Sequence, residues 1–157
     1  AGVLQTHVRD PSSLRAAPLN GTPIEIFASV SAHANRDSGA DYTSVATPIH
    51  RAYNLFISWV NQVNNGVLLN GTRHPIRFTV VDDGSNETLV QEVYQDKLSK
   101  GTQLFLAPYG ALTDSAAEVI GNSNAVMVSP SAAFTSTFVN RPNVFGIFPP
   151  PERWFDA

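Results

Sequence analysis

The stretch FLAPYGALTDSAAEVI, from Phe105 to Ile120, joins a strand-like apolar run to a helix-like run through one tight corner. The apolar run stops at Pro108, and helical patterning begins near Thr113. A strand that passes directly into a helix is half of the crossover unit from which parallel sheets are built. This stretch therefore predicts an α/β fold.

The same alternation of strand and helix signals runs through most of the chain. Three runs, FTVV, LFLA and AVMV, are apolar at successive positions rather than at every second one. That pattern is typical of strands covered on both faces, as in parallel sheets flanked by helices. We therefore predict an open, doubly wound, mainly parallel α/β sheet. The five predicted strands lie within 24–30, 75–83, 102–107, 125–129 and 143–148.

Two longer helices are predicted between these strands. Thr47-Pro48 suits the N-cap and first residue of one helix. Phe56 belongs to the apolar stripe of this helix, so we expect its side chain in the core. Asn86 suits the N-cap of the second helix, which closes near Gly101.

The chain divides into an arm and a lobe. Residues 1–23 contain three prolines and no hydrophobic period, and we interpret them as an N-terminal arm or leader. Residues 24–148 carry the alternating elements of the α/β lobe, and a run of three prolines then ends the last strand. The Ser- and Gly-rich stretch 31–46 is long for a connection in a compact domain, which is typical of functional loops.

Composition and charge exclude several classes of function. The net charge is −3 and the pI is about 5.7, so the chain lacks the basic character of a nucleic-acid-binding protein. No apolar run approaches about 18 residues, so we expect no direct membrane insertion of this segment. Cysteine is absent, which excludes disulfides and thiol catalysis. Three Asn-x-Thr sequons give weak support to a glycosylated extracellular protein.

Ligands of an open parallel sheet bind at the carboxyl ends of its strands. Those ends are predicted at 31–46, Asp82–Ser85, Pro108–Leu112 and Ser129–Ala133, where small, hydroxylated or backbone groups predominate. The sequence has no dinucleotide fingerprint, no Walker A loop and no nucleophile elbow. We therefore expect no cofactor and no catalytic residue.

Histidine and aspartate are the side chains that could carry metal binding or acid–base chemistry. The four histidines lie in four separate segments, so we predict no metal site. Asp82 and Asp83 end a strand, and the simplest interpretation is that one caps the next helix while the other is solvated. The competing interpretation is a small α/β hydrolase or transferase that uses Asp82, Asp83 or Ser131. Such an enzyme needs a base within reach of its nucleophile.

The corner after the third strand is the strongest candidate for a ligand site. A helix start presents free N–H groups and partial positive charge, which suit a carboxylate or another anion. Gly110 and Ala111 lack bulk, so a ligand can approach the backbone there. The stretch SPSAA (129–133) repeats the pattern on the next strand, with a hydroxyl at Ser131. The alternative is a tight turn with Tyr109 packed on the surface.

These corners, in this order, resemble the first lobe of the type I periplasmic-binding-protein family. The resemblance runs from about Ile24 to Ala157 and rests on VNQVNNG, VVDD, APYGALTDSAAEV, VMVSPSAA and VFGIFPPP. Members of that family are bilobal, Venus-flytrap receptors for amino acids and other small solutes. They are related to the ligand-binding domains of natriuretic-peptide and glutamate-type receptors.

The resemblance implies an extracellular or periplasmic, non-enzymatic protein that closes on a small, amino-acid-like solute. It also implies that 149–157 are a crossover toward a second lobe, the remainder of the receptor chain. A loop aromatic that covers the ligand would be Tyr42, whereas Ala111 and Ala133 stand where the family often has hydroxyls. A third interpretation is an interaction domain that forms a homodimer. The predicted ligand-binding residues are Tyr42, Tyr109, Gly110, Ala111, Leu112, Thr113, Ser131, Ala132 and Ala133.

Overall fold

The computed structural model of the chain describes residues 19–130, 134–150 and 152. In chain order its main elements are β1 (Ile24–Val30), α1 (Thr43–Ser58), β2 (Val67–Leu69), β3 (Thr72–His74), β4 (Ile76–Asp82), α2 (Glu87–Ser99), β5 (Leu104–Leu106), α3 (Thr113–Gly121), β6 (Val126–Ser129) and β7 (Val144–Gly146). Most of the predicted arm (1–23) and crossover (149–157) lies outside the described residues, so both stay predictions. Within the described ranges, no helix has the length and hydropathy needed to cross a membrane.

Five of the strands form one sheet in the order β4-β1-β5-β6-β7, and every neighbouring pair is parallel. The sheet confirms the predicted doubly wound, mainly parallel α/β fold. The chain first moves outward from β1 to β4 and then returns past β1 to β5. The strand order therefore reverses between β1 and β5, and this reversal is where a crevice forms in such folds. β2 and β3 form a separate antiparallel hairpin.

The main core lies between one face of the sheet and the helices α2 and α3. Tyr94 of α2 is fully buried there, edge-on to Phe27 at a centroid distance of 5.1 Å and stacked on Phe105 at 5.6 Å. Its hydroxyl donates to the carbonyl of Leu106 at 2.6 Å. Burial raises the pKa of this hydroxyl. The predicted N-cap of α2 is confirmed, because the Asn86 side chain accepts from the amide of Leu89.

The opposite face of the sheet carries α1. Tyr53 of this helix packs edge-on against Phe78 of β4 at 5.3 Å, and burial raises the pKa of Tyr53 to about 12. The helix packs mainly against β1 and β4, which form one half of the sheet. Leu104 of β5 and Phe145 of β7 are exposed on the other half. The described elements therefore cover this second face only in part.

Two sequence expectations for α1 are wrong. The helix begins at Thr43 rather than after Thr47, because the Asp41 carboxylate accepts from both the amide and the hydroxyl of Thr43 and so starts the helix earlier. Phe56 is 58% exposed instead of lying in the core. Three residues rotate a helix by about 300°, so Phe56 lies about 60° around the helix from the sheet-facing Tyr53.

Candidate functional site

The loops that follow β1, β4, β5 and β6 meet at one end of the sheet, and we call the space between them the crevice. A small, mainly apolar pocket forms its floor. Ser31 after β1, Pro108 after β5 and Pro130 after β6 contribute to its wall, together with Ile49 of α1. This pocket lies at the reversal of strand order between β1 and β5, where open α/β sheets bind ligands. The topology therefore places the candidate site here.

Tyr42 and Tyr109 meet across the crevice. One comes from the long loop after β1 and the other from the corner after β5, and their ring centroids lie 5.1 Å apart with planes tilted by 42°. Both side chains are half-buried. The structure thus brings together two predicted site residues that are distant in sequence. A wider depression of about 440 Å³ adjoins Tyr42, lined also by Asn35, Ser38, Ala40, Ser85, Asn86, Glu87, Thr88 and Leu112.

Some backbone amides of this corner form hydrogen bonds that stabilise it, whereas others have no partner. Leu112 donates its amide to the carbonyl of Tyr109 at 2.7 Å, and Thr113 donates its amide to the carbonyl of Gly110. The side chains of Leu112 and Thr113 are buried, so both residues stabilise the corner. The amides of Gly110 and Ala111 have no partner among the residues that the structure describes. These two amides are therefore the candidate donors for a ligand.

A carboxylate lies in the first turn of α3, beside those amides. Asp114 is exposed, and it accepts a hydrogen bond from the hydroxyl of Thr137. Its negative charge offsets the partial positive charge of the helix start. The corner therefore carries a carboxylate as well as backbone donors.

The second predicted corner contains Ser131, Ala132 and Ala133. These three residues lie outside the described residues, so their roles stay predictions. Pro130, directly before them, lines the same small pocket as Tyr109.

Asp83 is a fully buried carboxylate that holds the base of the crevice. It accepts from the hydroxyls of Ser29 and Ser31 at 2.7 and 2.6 Å, and from the amide of Ser85 at 3.1 Å. The interpretation that one aspartate caps α2 while the other is solvated is wrong. Asn86 supplies that cap, and both aspartates bind the loop after β1.

Ser85 links this buried carboxylate to the aromatic pair. Its hydroxyl donates to the carbonyl of His33 at 2.9 Å and accepts from the amide of Tyr42 at 3.2 Å. Asp83, Ser85 and Tyr42 therefore form one connected series of hydrogen bonds. Through it, the buried carboxylate fixes the position of the Tyr42 backbone.

Asp82 is partly exposed and forms hydrogen bonds with the same loop, the one that follows β1. It accepts from the amides of Ala32 and Gly84 at 2.8 and 2.9 Å and pairs with the ring of His33. Burial alone raises the pKa of Asp82, but the hydrogen bonds from His33, Gly84 and Ala32 outweigh it and hold the pKa below its ordinary value. No motif in the sequence predicts the pairing of His33 with Asp82. The pairing depends on the register of the parallel strands β1 and β4, which sets Val30 beside Asp82.

The described hydroxyls at the base of the crevice are held in hydrogen bonds within the chain. The nearby hydroxyls of Ser29 and Ser31 donate to Asp83, and that of Ser85 donates to a carbonyl. In the described part of the chain, no hydroxyl is hydrogen-bonded to the His33 ring, so no serine–histidine or threonine–histidine pair is formed with that ring. Nor do the described residues contain a group of three His, Asp or Glu side chains able to hold a metal ion.

Comparison with known proteins identifies the fold. No family model and no curated protein matches the chain. The substrate binding protein LivJ of the branched-chain amino acid transporter from Streptococcus pneumoniae, solved with isoleucine, aligns with a TM-score of 0.66 and 15% identity over 79% of this chain and 33% of that one. An ABC-type branched-chain amino acid transporter from Rhodopseudomonas palustris aligns with a TM-score of 0.57 and 13% identity over 81% and 33%.

The chain thus spans about a third of the length of each of these two proteins. At this level of identity the likeness shows the fold and nothing finer. It confirms the predicted resemblance to a lobe of type I periplasmic binding proteins, which was based on the order of the strand-end corners.

Proposed function

We propose that this chain is the first lobe of a bilobal protein that recognises a small, amino-acid-like solute in the crevice. The observation that carries the proposal is the convergence of the Tyr42–Tyr109 pair with the amides of Gly110 and Ala111. Aromatic walls and a few fixed polar groups are what small-molecule sites combine. No catalytic residue is needed for such a role.

The charges at the corner favour a zwitterionic solute. The amides of Gly110 and Ala111 suit a carboxylate, while the carboxylate of Asp114, one turn away, favours an ammonium nearby. The apolar residues beside Tyr109, among them Ile49 and Pro108, favour contact with an aliphatic group. The isoleucine bound by the S. pneumoniae protein has a carboxylate, an ammonium and an aliphatic group, which makes it the first solute to test.

A second lobe would complete the site. The two structural neighbours are about three times as long as the aligned region, which supports a bilobal architecture for the whole protein. A solute that bridges two lobes stabilises the closed form over the open one. The neighbours serve transporters, which supports an extracellular or periplasmic location for this protein.

The proposal predicts weak binding by the present chain. A micromolar solute has a binding free energy of about −8.2 kcal/mol, and half of that corresponds to a dissociation constant of about 1 mM. Saturation-transfer difference NMR detects affinities of this order. We expect a signal from isoleucine, leucine or valine, and a loss of at least about tenfold in affinity in Tyr109→Ala.

The control is Phe56→Ala, which removes an aromatic ring that lies outside the crevice. Phe56 lies about 20 Å along α1 from the start of that helix at the crevice, so its removal should leave the affinity unchanged. Equal loss of binding in both variants would contradict the site. Absence of binding by every zwitterionic solute would contradict the amino-acid-like ligand.

A further inference from the structure

The chain contains three Asn-Gly dipeptides, at 20–21, 65–66 and 70–71. In such a dipeptide the amide nitrogen of the glycine can attack the side-chain carbonyl carbon of the asparagine, because glycine has no side chain that obstructs the approach. The product of this attack is a cyclic imide, a succinimide. The three dipeptides have the same local chemistry, so the fold determines which of them reacts.

Two of the three glycine amides are held in hydrogen bonds. Gly66 donates its amide to the carbonyl of Val60 at 2.7 Å, and Gly21 donates its amide to the carbonyl of Arg73 at 3.0 Å. Both glycines are also closely packed, because a Cβ on either of them would lie 2.5 Å from an atom of His74. Neither amide can act as a nucleophile until its hydrogen bond breaks and the segment opens.

The third dipeptide forms the exposed turn of the β2–β3 hairpin. Leu69 pairs with Thr72, which leaves Asn70 and Gly71 as the two turn residues, with φ angles of 49° and 80° as in a type I′ turn. Among the described residues, neither the Gly71 amide nor the Asn70 side chain has a hydrogen-bond partner. A Cβ on Gly71 would meet no atom within 4 Å. Both reacting groups are therefore unbonded, and the peptide between them has room to rotate.

We propose that the fold selects Asn70, rather than Asn20 or Asn65, for spontaneous deamidation through a succinimide. The Gly71 nitrogen loses its proton and bonds to Cγ of Asn70, and the Cγ–Nδ2 bond breaks with release of ammonia. Water then opens the ring. Its attack on Cγ gives aspartate, whereas its attack on the backbone carbonyl carbon gives isoaspartate, which lengthens the main chain by a methylene. Water is the only co-reactant, and no enzyme is needed.

The modified turn lies away from the crevice. The hairpin directly precedes β4, and the other end of that strand borders the crevice. The hairpin is also separate from the five-stranded sheet. We therefore expect a form of the protein that carries one additional negative charge and keeps both its sheet and its crevice. This inference does not depend on the proposed function.

Incubation of the folded chain in mildly alkaline buffer, followed over time by peptide mapping with mass spectrometry, tests the proposal. Conversion at Asn70 should be at least about tenfold faster than at Asn20 or Asn65, a factor that corresponds to about 1.4 kcal/mol of local opening. The product should contain isoaspartate as well as aspartate. Asn70→Gln should remove the modified form, because the longer side chain closes an imide ring far less readily.

The matched control is the same chain unfolded in guanidinium chloride. There the three dipeptides should react at similar rates, which assigns their difference in the folded chain to the structure. Equal rates at the three sites of the folded chain, or a slower reaction at Asn70 than at Asn65, would overturn the proposal. The same preference for Asn70 in the unfolded chain would overturn selection by the fold, and a product with aspartate alone would overturn the succinimide route.

Discussion

Tyr94→Ala is expected to lower the free energy of unfolding by about 3–5 kcal/mol, as for other fully buried aromatic residues. The substitution removes a ring that packs against both Phe27 and Phe105. It also removes the hydroxyl that donates to the carbonyl of Leu106. Urea unfolding followed by circular dichroism measures the change. Tyr94 is the largest fully buried side chain among the described residues.

Tyr94→Phe separates the two contributions of this side chain. It keeps the ring and removes only the hydroxyl, so the expected loss is about 1–3 kcal/mol, the cost of one buried unsatisfied carbonyl. Equal losses in the two variants would show that the ring packing is not what stabilises this core. A loss below about 1 kcal/mol in Tyr94→Ala would contradict the described packing of α2 on the sheet.

Asp83→Ala is expected to cost about 3 kcal/mol or more, the second largest effect. The carboxylate receives three hydrogen bonds, and each buried donor left without an acceptor costs about 1–3 kcal/mol before the site relaxes. Without it, the hydroxyls of Ser29 and Ser31 lose their acceptor in a buried environment. Thermal and urea unfolding both report this loss.

Two matched variants make that prediction specific. Asp83→Asn keeps one acceptor oxygen, so it should cost less than Asp83→Ala. Asp96→Ala removes an exposed carboxylate that pairs with Lys100 four residues later on a helix, and should cost about 0.5 kcal/mol or less. If Asp83→Ala cost no more than Asp96→Ala, Asp83 would not be the buried anchor of the loop after β1.

The sequence predicted those parts of the fold that local signals determine. The corner between β5 and α3, the apolar strand runs and the Asn86 cap all follow from short stretches of chain. The start of α1 was predicted too late in the sequence. The Asp41 carboxylate accepts a hydrogen bond from the amide of Thr43, so the helix begins at Thr43, ahead of Thr47-Pro48. Phe56 was misplaced because α1 carries two adjacent apolar stripes, and periodicity alone does not tell which of them faces the sheet.

The candidate site was predicted less completely, because it depends on contacts between distant segments. The backbone corner around Gly110 follows from local sequence. The contact between Tyr42 and Tyr109, the burial of Asp83 and the pairing of His33 with Asp82 all depend on the order and register of β1, β4 and β5. No spacing within a single stretch of sequence specifies those features.

The most direct test of solute recognition at the crevice is a titration of the ¹⁵N-labelled chain with isoleucine, followed by two-dimensional ¹H–¹⁵N NMR. The amides of Tyr42, Gly110 and Ala111 should show the largest chemical-shift changes and saturate at millimolar concentration. The groove between α2 and α3, lined by Gln91 and Glu118, should remain unperturbed. The account is contradicted if the largest changes fall in that groove, or if no zwitterionic amino acid shifts the three crevice amides.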